Sequence, residues 1–197
     1  MGRSLRNNKQ AIIVLHEIYG VNEFVKEQCR KFRNVGYDVF CPNMIAKPPF
    51  SYEESMEAYD FFMKNVGFEA YKKISGFVNQ LKSKYDHVFI IGFSVGATLA
   101  WRCCENTLCS GIIACYGSRI RDYTDLTPTC PMLLLFAKED SFDVPALVCQ
   151  LQEKQHLSIV EFDAAHGFLD VHSKHYHIQQ SKRAEESIAY FIRECTK

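Results

Sequence analysis

Hydrophobic residues in this chain fall into two alternating kinds of segment. Six short runs rich in β-branched and aromatic residues are close to continuously apolar: AIIVLH (11–16), YDVFCP (37–42), HVFIIG (87–92), SGIIACY (110–116), PMLLLFA (131–137) and LSIVEF (157–162). A strand with one solvated face alternates. A continuous run marks a strand covered on both faces, as in a parallel sheet flanked by helices. Helical periodicity occupies the intervals, at 22–35, a region spanning 53–83, 95–106, 145–155 and 179–195. This alternation predicts an α/β fold of about six parallel strands with right-handed crossovers and helices on both faces. No repeat or Gly/Ser linker divides the chain, so one domain is expected over 1–197, with 1–10 a poorly ordered lead-in. Ligands of such sheets bind outside the carboxyl ends of the strands, which is where the chemistry is sought.

Composition narrows the class. The 197 residues carry 23 Lys+Arg against 23 Asp+Glu, a formal charge of zero, and 47% are hydrophobic. That is a globular chain without the basic footprint of a nucleic-acid binder or an acidic tail. No apolar run approaches the roughly 20 residues that span a bilayer. The opening MGRSLRNNKQ has no apolar h-region, and position 6, which myristoylation needs as Ser or Thr, is Arg6. Nine cysteines, an odd number with no CxxC pair, read as reduced, mostly buried thiols. The expectation is a cytoplasmic protein, monomer or homodimer, that meets a small molecule and neither nucleic acid nor membrane.

The third run ends Gly92-Phe93-Ser94-Val95-Gly96, a G-x-S-x-G between a strand and a helix. Such a turn holds the serine in a strained conformation above the sheet, and side chains at either glycine would strike neighbouring backbone. The helix N-terminus favours negative charge, and the Val95 N–H is aimed at a forming oxyanion. A Gly-rich nucleotide-binding turn is disfavoured because G-x-G-x-x-G is missing. A serine nucleophile needs a base, and His166 follows the last run in a loop of small residues. The base needs an orienting carboxylate. Asp140 after the fifth run is preferred from the order Ser…Asp…His; Asp143 is the rival, or else the N-cap of the next helix. The first run ends His16-Glu17-Ile18-Tyr19-Gly20, and Ile18 is the expected second oxyanion donor.

Taken together, HEIYG (16–20), CPN (41–43), EAYDFF (57–62), GFSVGA (92–97), ACYG (114–117), ED…VP (139–145) and AAHGF (164–168) resemble the dienelactone hydrolase family. They lie in the right order over nearly the whole chain. The resemblance implies a compact α/β-hydrolase fold, a Ser94–Asp140–His166 triad and an oxyanion hole at Ile18 and Val95. It also implies that Glu17 is the family's active-site glutamate and that Tyr59 lies on the substrate side. Three departures matter. The family's namesake uses a cysteine nucleophile where this chain has Ser94, which obliges His166 to act as a general base. Its two substrate-binding arginines correspond to Ser55 and Asp170, which argues against an anionic dienelactone. The chain is also short, with no opening antiparallel strands and no room for a large lid.

The expected activity is cleavage of a small carboxylic ester, lactone or thioester through an acyl-enzyme, with no cofactor or metal. The alternatives are a non-catalytic binding or regulatory protein on the same scaffold, or an acyltransferase. Cys103 and Cys104 are read as packing. His172, His175 and His177 are read as a solvated or helix-capping cluster, and Tyr59, Phe61 and Phe62 as core or pocket wall.

Overall fold

The computed structural model describes residues 9–197. The expected lead-in therefore lies largely outside the described residues, and its last member, Gln10, already opens the first strand. Six strands, β1 (Gln10–Leu15), β2 (Asp38–Phe40), β3 (His87–Phe93), β4 (Gly111–Cys115), β5 (Met132–Glu139) and β6 (Leu157–Ala165), form one sheet. Every pair is parallel, in the order β2-β1-β3-β4-β5-β6. Strand order reverses between β1 and β3, the place where an open α/β sheet presents a crevice.

Six helices cover the sheet: α1 (Glu23–Asn34), α2 (Ser55–Asn65), α3 (Tyr71–Lys82), α4 (Val95–Arg102), α5 (Val144–Leu151) and α6 (Ile178–Glu194). Successive β1 residues point to opposite faces, so Ala11, Ile13 and Leu15 join one core and Ile12 and Val14 the other. The first core holds Phe62 of α2, Ile74, Val78 and Leu81 of α3, the apolar face of α4, and Leu147 and Leu151 of α5. The second is closed by Phe24 and Val25 of α1 and by Ile188, Phe191 and Ile192 of α6. The four inner strands are buried along almost their whole length, which explains their unbroken hydrophobicity. On the edge strand β6 burial is patchy.

The single helical region expected over 53–83 is two helices. Val66 ends α2, and Gly67, at φ 61, turns the chain into a short 3-10 turn before α3. A positive φ is cheap only for glycine, so the break is encoded locally. Cys103 and Cys104 are buried at the end of α4, and burial pushes both thiols up to about 12, away from thiolate chemistry.

Candidate active site

The carboxyl ends of β1, β3, β4, β5 and β6 converge on one cavity of ≈ 540 Å³, lined by Ile18, Tyr59, Ser94, Arg119, Asp140 and His166 among others. Ser94 sits between β3 and α4 at φ 53, in the left-handed region that residues with a Cβ avoid. Two glycines make this turn possible. A Cβ on Gly92 would lie 2.1 Å from the Gly96 carbonyl oxygen, and one on Gly96 would lie 2.4 Å from that of Leu15. The second contact presses the turn against the end of β1, so the Val95 and Ile18 segments are neighbours. Because α4 begins at Val95, its first N–H groups have no acceptor within the helix.

His166 Nδ1 lies 2.6 Å from Asp140 Oδ2, and its Nε2 lies 3.0 Å from Ser94 Oγ. An ionised carboxylate only accepts, so Nδ1 carries the proton and Nε2 accepts from the Ser94 hydroxyl. Asp140 is almost fully buried and its Oδ1 accepts from the Ser141 N–H at 2.7 Å. Burial alone would lower the His166 pKa. The hydrogen bond and charge of Asp140 outweigh it, helped by Glu17, and the net shift is upward. Asp143, the other carboxylate considered, accepts from the Ala146 N–H at 2.9 Å and caps α5.

Glu17 is buried and does not line the cavity wall. Burial raises its pKa from 4.5 to about 7. The nearby His166 charge opposes the rise, Asp170 adds to it, and the Tyr116 hydroxyl opposes it. Tyr116 is a residue that sequence reasoning missed, although ACYG was noted. It follows β4 at φ 45, and its ring packs 4.9 Å from that of His166. Its buried hydroxyl lies beside Glu17 without meeting hydrogen-bond geometry. The signal available was its position one residue past a strand end.

Asp170 is not part of the cavity lining. It is 1% exposed, accepts from the Tyr52 hydroxyl at 2.5 Å and from the His172 N–H at 2.8 Å, and so ties the segment before α2 to the His166 loop. Tyr52 in turn accepts from Asn22 Nδ2 at 3.1 Å. Tyr59 is half-exposed on the cavity wall, whereas Phe62 is core and Phe61 packs on Phe50. Of the three clustered histidines, His172 meets Glu27 at 3.2 Å, His177 caps α6, and His175 reaches the cavity. Arg119, also on the wall, pairs with Asp122 at 2.7 Å; nothing in its sequence context marked it. Among the described residues no group of three His, Cys, Asp or Glu is arranged to hold a metal.

A parallel sheet with a serine on the strained turn after a central strand defines an α/β-hydrolase fold. The dienelactone hydrolase family model matches residues 2–196, and the chain belongs to that family. It is 42% identical over 173 residues, 85% of either chain, to the uncharacterized protein YczH of Bacillus subtilis (strain 168). It is 19% identical over 184 residues, 85% of this chain and 79% of the other, to carboxymethylenebutenolidase 1 of Cupriavidus pinatubonensis. Among solved structures it resembles a Klebsiella pneumoniae protein ascribed to the dienelactone hydrolases, with TM-score 0.78, 18% identity and coverage of 96% and 89%. It also resembles the metagenomic dienelactone hydrolase-like promiscuous phosphotriesterase P91, with TM-score 0.74, 15% identity and coverage of 95% and 87%. No helix of the described residues is long and apolar enough to cross a membrane.

Proposed function

We propose that the protein is a serine hydrolase that cleaves a small carboxylic ester, lactone or thioester, with Ser94 as nucleophile, His166 as general base and Asp140 as its orienting carboxylate. The observation that carries this reading is the unbroken chain Ser94 Oγ–His166 Nε2 at 3.0 Å and His166 Nδ1–Asp140 Oδ2 at 2.6 Å. His166 takes the Ser94 proton as the hydroxyl oxygen attacks the carbonyl carbon. The carbonyl oxygen becomes an oxyanion on the Ile18 and Val95 N–H groups. His166 then protonates the leaving group, and water, deprotonated by the same imidazole, releases the acid from Ser94.

Loss of both of the namesake's arginines, with buried Asp170 engaged by Tyr52, supports a substrate other than an anionic dienelactone. Tyr59 and Glu17 take their roles as cavity wall and buried support. Nine free thiols, six of them buried, favour the cytoplasm. The test is a fluorophosphonate probe with the adduct located by peptide mass. Labelling of Ser94 that disappears in His166→Ala is the expected result. An unlabelled, well-folded protein would favour a non-catalytic binding role.

A further inference from the structure

The buried imidazole of His16, at the end of β1, has no part in the proton transfers above, yet both its nitrogens are engaged. Its Nδ1 lies 2.6 Å from the Glu17 carbonyl oxygen, and its Nε2 lies 2.9 Å from the Met44 backbone nitrogen. The chemistry of the partners fixes the tautomer. A carbonyl oxygen only accepts, so Nδ1 carries the proton; a backbone N–H only donates, so Nε2 presents its lone pair. The ring is 0% exposed, so water cannot replace either bond.

The Glu17 carbonyl and the Ile18 N–H belong to one planar trans peptide unit and point in opposite directions. Holding the carbonyl oxygen therefore aims the N–H. The same stretch of backbone is braced from the other side, because a Cβ on Gly96 would lie 2.6 Å from the His16 carbonyl oxygen. We infer that His16 is a positioning residue that locks the Glu17–Ile18 peptide to the loop carrying Met44, so that the Ile18 N–H is preset for the oxyanion. This inference rests on the proposed roles of Ser94 and Ile18. Burial also lowers the His16 pKa to about 4, so the neutral ring that this clamp requires persists at working pH. Preset donors stabilise the transition state without reorganising, so the loss falls on kcat.

The experiment compares wild type, His16→Ala and His16→Asn with p-nitrophenyl acetate as substrate and benzeneboronic acid as a tetrahedral adduct former on Ser94. His16→Ala is expected to lose on the order of 10²-fold in kcat, with KM within about twofold and boronate affinity falling in parallel. The Asn amide places a donor near the position of Nδ1 and is expected to recover most of both. A folded His16→Ala with wild-type kcat and boronate affinity would overturn the inference. So would a loss that Asn does not relieve. Should His16→Ala fail to fold, ¹⁵N NMR of the wild type decides: an Nδ1–H tautomer, with the Ile18 amide resonance moving on boronate addition, supports the clamp. An Nε2–H tautomer or an unmoved Ile18 amide refutes it. Ser94→Ala keeps the two readings apart. If it retains hydrolysis the proposed nucleophile is wrong, whereas a dead Ser94→Ala beside an indifferent His16→Ala removes only the clamp.

Discussion

Two carboxylates three residues apart do different work, and the structure separates them by what each accepts from. Asp140 receives the His166 Nδ1–H, while Asp143 receives a backbone N–H at the start of α5. Asp140→Asn is expected to cut kcat by about 10⁴-fold, because the amide favours the wrong tautomer of the imidazole. Asp143→Ala should leave kcat near wild type and cost about 1 kcal/mol of stability, the worth of an N-cap. Steady-state kinetics and urea unfolding on both variants check this, and reversed phenotypes would reassign the acid. The raised pKa of His166 has a signed consequence too. The base must be neutral, so the acid limb of kcat/KM should lie above the ordinary imidazole value of 6.5. Glu17 contributes to that rise, so Glu17→Gln should move the limb to lower pH. A limb unmoved by Glu17→Gln would show that the glutamate does not sense the imidazole.

At the scale of elements, what was legible in the sequence was whatever local physics encodes. Inner strands read as continuous apolar runs because helices cover both faces. The turn at Ser94 was legible because Gly92 and Gly96 meet backbone that any Cβ would strike. The division of α2 from α3 was written in Gly67 but hidden by the helical periodicity on either side. Contacts between distant segments were not legible. Tyr52 and Asp170 are 118 residues apart, and only the fold shows that the acid at the namesake's arginine position is bonded to a phenol. Likewise the Met44 N–H that fixes His16 comes from a loop 28 residues away. The Tyr52–Asp170 bond gives an element-level prediction. Tyr52→Phe removes the donor to a buried carboxylate and the acceptor for Asn22, so unfolding in urea should show a loss of about 2 kcal/mol. An unchanged midpoint would mean that water replaces the phenol and that the link between the α2 segment and the His166 loop is not structural.

Across the whole molecule, His16 and Glu17 are adjacent buried groups whose linkage to pH runs in opposite directions. His16 is lowered from 6.5 to about 4. Its contribution to stability is fully present above pH 6.5 and lost as pH falls through 4, because the unfolded chain takes up the proton that the folded one refuses. Glu17 is raised from 4.5 to about 7. Its contribution is fully present below pH 4.5 and lost as pH rises through 7. Either shift corresponds to about 3 kcal/mol over its full range. Between pH 4.5 and 6.5 the two slopes oppose and nearly cancel, so wild-type stability should change little there on their account. His166, also raised, adds a loss in the same direction as Glu17 as pH rises from 6.5 through its folded pKa. Glu17→Gln cannot ionise, so this half of the balance disappears. The variant should gain on wild type as pH rises from 5 to 8, with the difference in unfolding free energy widening by about 3 kcal/mol. Urea titrations at four pH values across that interval measure it. A constant difference would mean that Glu17 ionises as an ordinary carboxylate, fully charged beside His166 at working pH, and that its burial costs the fold nothing there. A widening difference would identify Glu17 as a site where the fold gives up stability at working pH to keep a carboxyl beside the proposed catalytic base.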